Sequence, residues 1–363
     1  MSSVAIAAGG TGGHVFAAVA AAEAFLRHGV EPFIMYPAAD RAWKFLDEEG
    51  AAERFNILEL PGFNRAGFPG SIPDVLRQAR AAMKIFDERR PSALLVVGGY
   101  SVAAPGIAAI SRRIPVFVYE QNAVAGTANR MFSYFAKTVL ANIPAQRISL
   151  PQLVVGHPVR RRLLDAAASN PPPQTGLRRI LIIGGSQGAR AIDETMMELY
   201  PLIRRRFPAW RIMHLAGPDL ADKASAAYRS VWSDPENPDG VYAFRKDMET
   251  LYPCADAAVS RAGAAAAAEL ALFGTAVLFV PYPFAAAQHQ HANAAYFAGR
   301  GAAGLVSEGP GFRERLWGAL SSLLSDDAAR SRMQQAFRSL SPANDGAPLV
   351  QAVLSAVGKR GAS

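Results

Sequence analysis

Short apolar runs of strand length recur through the first half of the chain, at positions 4–8, 33–36, 94–97, 116–119, 138–141 and 153–155. Between them, segments 15–28 and 72–89 carry apolar residues at the spacing of a helix that buries one face. Runs that are apolar at every position belong to strands covered on both sides, so the order strand, helix, strand predicts a parallel sheet between two helical layers. After Val155 the pattern breaks. The stretch Ser169-Asn170-Pro171-Pro172-Pro173-Gln174-Thr175-Gly176 cannot continue a helix, because proline removes an amide donor and fixes φ, and it reads as a linker. Alternation restarts with apolar runs at 179–183, 211–215, 241–244, 257–259 and 276–280. The expected class is α/β, with two doubly wound parallel-sheet domains over residues 1–160 and 161–342. The tail after about Leu316 reads as helical and polar, its last helix at about 343–363 packing back across the first domain.

Four glycine clusters follow directly on predicted strands: Gly9-Gly10-Thr11-Gly12-Gly13-His14, Gly98-Gly99-Tyr100-Ser101, Gly184-Gly185-Ser186-Gln187-Gly188 and Arg261-Ala262-Gly263. In open α/β sheets ligands bind beyond the carboxyl ends of the strands, where glycine lets a phosphate approach backbone amides at a helix start. Clusters in both halves imply a ligand cleft between the domains. The dehydrogenase fingerprint G-x-G-x-x-G is not met, since Gly13, His14 and Val15 follow Gly10-Thr11-Gly12, and the spacing from Gly184 to Gly188 also fails it. A nicotinamide oxidoreductase therefore lacks its main signature. A Walker A loop is absent, and so is any D-x-D pair that would chelate a divalent ion on a sugar nucleotide. A leaving diphosphate has to be stabilised by helix dipoles, hydroxyls and arginines.

Composition narrows the classes further. The 363 residues fit about two domains, and with half of them hydrophobic and 19% charged there is material for two large cores. One cysteine, Cys254, forms no internal disulfide, which points to a reducing compartment and excludes multi-cysteine zinc sites. The first residues lack a basic n-region, so no secretory signal is expected, and no uninterrupted apolar stretch of about 18 residues marks a membrane span. The net charge of +8 favours phosphates, nucleic acids or anionic headgroups as partners. The runs Arg160-Arg161-Arg162 and Arg204-Arg205-Arg206 read as solvated helix faces, and no aromatic residues interleave with them, so a nucleic-acid partner is not expected.

Five motifs then occur in a telling order: the Gly9 to His14 cluster, Tyr119-Glu120-Gln121-Asn122, Val155-Gly156-His157-Pro158-Val159-Arg160, Gly184-Gly185-Ser186-Gln187-Gly188-Ala189-Arg190, and Gln288-His289-Gln290 followed by Asn293-Ala294. Together they resemble the MurG family of glycosyltransferases of peptidoglycan synthesis, across nearly the whole chain. The resemblance implies the GT-B fold, two Rossmann-like domains facing a cleft. It implies inverting transfer of N-acetylglucosamine from UDP-GlcNAc to the muramoyl 4-hydroxyl of the undecaprenyl-diphospho-MurNAc-pentapeptide lipid I, giving lipid II, with no cofactor and no metal. It also implies a peripheral protein on the cytoplasmic face of the inner membrane, with cell-wall synthesis or division proteins as partners.

Site residues follow from the same resemblance. Ser186, Gln187 and Gly188 match the diphosphate loop, and Glu269 matches the ribose-binding carboxylate, which suits a diol because one carboxylate accepts from two hydroxyls. Asn122, Gln288 and Gln290 match sugar contacts and Arg160 a phosphate contact, with Arg245, Gly263 and Ala264 as further donor contacts. Thr11, Gly12 and Gly13 form the anion site where donor and acceptor meet, and Gly99 and Tyr100 lie on the acceptor side. His14, at a helix start whose dipole favours a neutral imidazole, is the candidate general base, with Glu120 as an alternative base or an orienter of the acceptor. Two departures stand out. The family's threonine and serine fall within the all-alanine run 264–268, with Ala262 replacing a further serine, and Phe284 stands where histidine is commoner. Backbone amides at that helix start remain available to a diphosphate.

A lipid-linked acceptor requires a membrane surface. Ile72, Val75, Leu76, Ala79, Met83 and Phe86 form an apolar stripe with Arg77, Arg80, Lys84, Arg89 and Arg90 between them and Phe63 and Phe68 before it, which fits either an interfacial helix or a core-facing helix with a basic outer face. Two further classes remain: another GT-B transferase acting on a lipid acceptor, and a sugar-nucleotide-binding protein weakened by its alanine run.

Overall fold

The computed structural model describes residues 3–10, 12–37, 55–61, 72–169, 177–185, 188–231, 240–341 and 344–358. Thr11, Phe63, Phe68, Ser186, Gln187 and most of the proline-rich linker lie outside the described residues. The chain divides into two compact units, Met1–Arg161 with Asn344–Ser363, and Arg162–Ala343.

Unit 1 runs β1 Ser3–Ala8, α1 Gly12–Arg27, β2 Glu31–Pro37, β3 Asn56–Leu60, α2 Ile72–Arg89, β4 Ala93–Gly98, α3 Ala103–Ser111, β5 Val116–Glu120, α4 Thr127–Ser133, β6 Thr138–Ala141 and β7 Gln152–Val154. Among the described residues these strands form one seven-stranded sheet in the order β3-β2-β1-β4-β5-β6-β7, and every pairing is parallel. The sheet is covered on both faces, which is why β4, Ala-Leu-Leu-Val-Val-Gly, is buried at every position. One face packs α1 through its alanine-rich side, and the other packs Ala82 and Phe86 of α2, Ala108 and Ala109 of α3 and Phe132 of α4. Strand β3 escapes the sequence pattern because it is a sheet edge that buries only Leu60 fully, and Asn56 and Glu59 break its apolar run.

Unit 2 contains α5 Arg161–Ser169, which starts at the boundary, then β8 Arg178–Ile183, α6 Arg190–Arg206, β9 Trp210–Leu215, α7 Ala221–Val231, β10 Gly240–Tyr242, β11 Ala257–Ser260, α8 Ala264–Phe273, β12 Ala276–Phe279, α9 His289–Ala298 and β13 Gly304–Leu305. The described strands form a six-stranded parallel sheet ordered β10-β9-β8-β11-β12-β13. Two helices, α10 Phe312–Ser325 and α11 Asp327–Leu340, follow. Leu316, Leu320, Leu323 and Leu324 of α10 enter the unit 2 core beside Ile180, Ile192 and Met196. The last helix, α12 Ala347–Gly358, buries Leu349, Val350 and Val353 against the α1 side of unit 1.

One expectation about charge needs correction. The arginine runs are not merely solvated: Arg160 is buried with its guanidinium 4.7 Å from the Phe16 ring centroid, Arg162 pairs with Glu249 at 3.4 Å, and buried Arg204 donates to the Trp210 carbonyl at 2.6 Å. Long cationic side chains bury their stems and satisfy their heads on backbone oxygens, so a charge run in sequence is a poor guide to exposure. The apolar stripe of α2 is also divided. Ala79 and Phe86 belong to the core, whereas Ile72 and Leu76, 43% and 49% exposed, leave only the first turns as an outward apolar face.

Candidate active site

In unit 1 the carboxyl ends of three neighbouring strands converge. The turn after β1 interlocks with the turn after β4: Gly99, at φ 90°, lies so close to the Gly9 carbonyl oxygen that a Cβ would come within 1.9 Å of it, and Gly10 packs on the Tyr100 ring. Glycine is required there by both φ and space. Gly12, Gly13 and His14 form the first turn of α1, and the His14 ring lies over Gly98, where a Cβ would meet its Cδ2 and Nε2 at 2.8 Å. The structure thus brings His14 together with Gly99 and Tyr100, on a helix start that orients backbone amides outward.

Glu120, at the end of β5, is 2% exposed. Its Oε1 accepts from the Asn122 amide at 2.9 Å and from Asn122 Nδ2 at 3.3 Å, and its Oε2 accepts from the Gly126 amide at 3.1 Å and Asn129 Nδ2 at 2.9 Å. Burial raises its pKa, and these four donors oppose the rise. A carboxylate filled by its own loop organises that loop. Asn122 is correspondingly held by Glu120. Arg160 is held over Phe16 in the same unit.

In unit 2 the turn after β8 is equally tight. Gly188 stands at φ 74°, with a Cβ at 2.6 Å from the Ala216 carbonyl oxygen, and its amide donates to the Gly185 carbonyl at 3.1 Å. Glycine at 188 serves the turn through its φ and its close approach to Ala216. After β11, Gly263 is the N-cap of α8 and Ala264 its first residue, so the alanine run does form a helix start without side-chain hydroxyls. Glu269, half-buried on α8, accepts from the Tyr252 hydroxyl at 2.7 Å. Asn293 Nδ2 donates to the Ala262 carbonyl at 3.0 Å and ties α9 to this turn.

The loop after β12 carries the last motif. Gln290 Oε1 accepts from the Tyr282 amide at 2.9 Å, and Gln288 Nε2 donates to the Pro283 carbonyl at 2.7 Å. Phe284 in that loop is 81% exposed. Arg245, after β10, is clamped by Asp247 at 2.7 Å and lies 4.8 Å from the Tyr242 ring centroid, and hydrogen bonding to Asp247 raises its pKa. The unit 2 candidates Gly188, Arg245, Gly263, Ala264, Gln288 and Gln290 thus gather beyond the carboxyl ends of parallel strands, with Glu269 further along α8. Sequence reasoning missed Asn129 and Tyr252, whose partners are set by the fold and carry no motif signal, and quoted Asn293 within a motif without its partner.

Among the described residues no group of three or more His, Cys, Asp or Glu side chains is placed to hold a metal ion, and no helix is long and apolar enough to cross a membrane.

Two parallel-sheet domains with glycine turns at their strand ends define a doubly wound α/β protein with ligand-binding turns, and comparison with known proteins gives the family. Residues 4–141 match the glycosyltransferase family 28 N-terminal domain and residues 179–349 its C-terminal domain. The chain belongs to this family and is a glycosyltransferase of MurG type. It is 35% identical, over 98% of both chains, to the UDP-N-acetylglucosamine--N-acetylmuramyl-(pentapeptide) pyrophosphoryl-undecaprenol N-acetylglucosamine transferase of Acidithiobacillus ferrooxidans (strain ATCC 53993 / BNL-5-31). A protein of the same name from Xanthomonas campestris pv. campestris (strain 8004) is 32% identical over 98% of this chain and 82% of its own. The crystal structure of Acinetobacter baumannii MurG superposes with a TM-score of 0.76 at 27% identity, covering 98% of this chain and all of that one.

Proposed function

We propose that this enzyme transfers N-acetylglucosamine from UDP-N-acetylglucosamine to the muramoyl 4-hydroxyl of the undecaprenyl-diphospho-muramoylpentapeptide, inverting the anomeric centre. The observation that carries this reading is the full-length likeness to two transferases of that name, with 35% and 32% identity. The site residues support it. His14 takes the proton from the acceptor hydroxyl as the new bond forms, while Glu120 holds the Asn122 to Gly126 loop beside it. In unit 2 the turn from Gly184 and the start of α8 bind the diphosphate through amides and helix dipoles, so the alanine run weakens the site without emptying it of donors. Glu269, braced by Tyr252, accepts from the ribose hydroxyls. Arg245, Gln288 and Gln290 complete the donor side, and Gly99 and Tyr100 the acceptor side.

The outward Ile72 and Leu76, flanked by exposed Arg77 and Arg80, support peripheral attachment at the cytoplasmic membrane face, where the lipid acceptor lies. Partners in cell-wall synthesis or division follow from that location. No residues arranged as a chelate accompany the diphosphate site in the sequence. Acceptor-dependent UDP release is therefore expected to persist in excess EDTA. Complete loss in EDTA with recovery on adding a divalent ion would contradict the metal-independent mechanism.

A further inference from the structure

Beneath the glycine turn of unit 2 lies a buried polar chain that no motif announced. Asp193, on the first turns of α6, is fully buried, as is His214 near the end of β9, and Tyr228 on α7 is nearly so. Asp193 Oδ2 accepts from the Ala189 amide at 2.8 Å. Its Oδ1 lies 3.0 Å from His214 Nε2, and His214 Nδ1 lies 2.8 Å from the Tyr228 hydroxyl. The Tyr228 ring in turn stacks on Tyr200 at 4.2 Å. One proton arrangement satisfies the chain: Nε2–H donates to Asp193 and Nδ1 accepts from the Tyr228 hydroxyl.

We propose that Asp193, His214 and Tyr228 form a positioning chain that sets the diphosphate affinity of the β8–α6 turn. A pure core role is a poor account of three linked polar groups. Burying such groups stabilises little compared with apolar residues of the same shape, and their cost is offset only when every partner is present. What the chain fixes is specific. Ala189 immediately follows Gly188, and Asp193 holds that residue's amide from inside the helix. Gly188 is at the same time pressed on the Ala216 carbonyl, which follows β9 and His214. The end of the β8 turn, at Gly188 and Ala189, and the end of β9 are thus held to each other from below, which fixes the entry into α6 before any anion arrives.

This inference rests on the proposed donor reading, in which that turn meets the diphosphate of UDP-GlcNAc. It predicts an effect confined to phosphate recognition. Asp193→Ala should weaken UDP by roughly tenfold, the size that loss of one buried hydrogen bond carries, while uridine affinity changes little. Asp193→Asn should restore UDP binding, since the amide oxygen still accepts from Ala189 and the His214 proton can move to the other ring nitrogen. Tyr228→Phe, which keeps ring and stacking, should shift UDP in the same direction as Asp193→Ala and by less. Both ligands are read by competition against labelled UDP-GlcNAc, with donor KM and kcat measured on the same full-length variants; KM should rise with kcat nearly kept. Equal weakening of UDP and uridine, or no change in either, would overturn the positioning role while leaving the donor reading intact. Failure of the wild-type protein to bind UDP would overturn both.

Discussion

At the residue scale the proposed chemistry concentrates on His14. Its ring is seated on Gly98, in the first turn of α1, and its neighbour in the site, Glu120, is filled by loop donors. In the proposed mechanism His14 is therefore the better-placed base. His14→Ala should lower kcat by roughly 10²–10⁴-fold with UDP-GlcNAc affinity nearly kept, and the acidic limb of the pH–rate profile should disappear with it. If His14→Gln keeps most of kcat and the limb, the residue only packs the turn. Much of this site was legible in the sequence, because glycines after apolar runs report strand ends directly. Asp193, His214 and Asn129 were not legible: each touches a partner on another element, and only the sheet order brings β8, β9 and their following helices side by side. The arginine runs misled for the opposite reason, since charge in sequence says nothing about where a long stem lies.

At the element scale, the segment between β7 and α5 shows how a short motif is fixed. The Tyr119 hydroxyl of β5 donates to the Gly156 carbonyl at 3.0 Å and lies 3.0 Å from His157 Nδ1, while Asn344 Nδ2 donates to the Val155 carbonyl at 2.6 Å. Burial lowers the His157 pKa to about 4, below the ordinary value near 6.5 that it regains on unfolding. The unfolded chain then binds the extra proton between those values, so this contribution is full above about pH 6.5 and is lost as pH falls towards 4. Urea unfolding at pH 7 and pH 5 should show the wild-type protein losing about 2 kcal/mol more than His157→Gln over that interval. Equal losses in the two proteins would show that His157 titrates normally in the fold. The same element scale explains which strands the sequence revealed: β4 and β8 are central and apolar throughout their buried parts, whereas β3 and the two-residue β13 lie on sheet edges and lack that run.

At the scale of the whole molecule, two parallel sheets of seven and six described strands carry their glycine turns at the carboxyl ends, the arrangement that open α/β sheets use for ligands. Each unit contributes part of the machinery. In the proposed reading, unit 1 supplies the base and the acceptor-side turn, and unit 2 the turns, the α8 start and the carboxylate for UDP-GlcNAc. The all-alanine start of α8 is the main departure from that assignment, and it asks whether amides alone hold the diphosphate well enough for turnover. The most direct measurement is the structure of the product formed by the wild-type enzyme from UDP-GlcNAc and a short-chain analogue of the undecaprenyl-diphospho-muramoylpentapeptide, determined by NMR. The account predicts one new β-configured N-acetylglucosaminyl bond on the muramoyl 4-oxygen, with UDP released in equal amount. An α-configured bond, attachment at another oxygen, or unreacted UDP-GlcNAc beside an intact acceptor would contradict it.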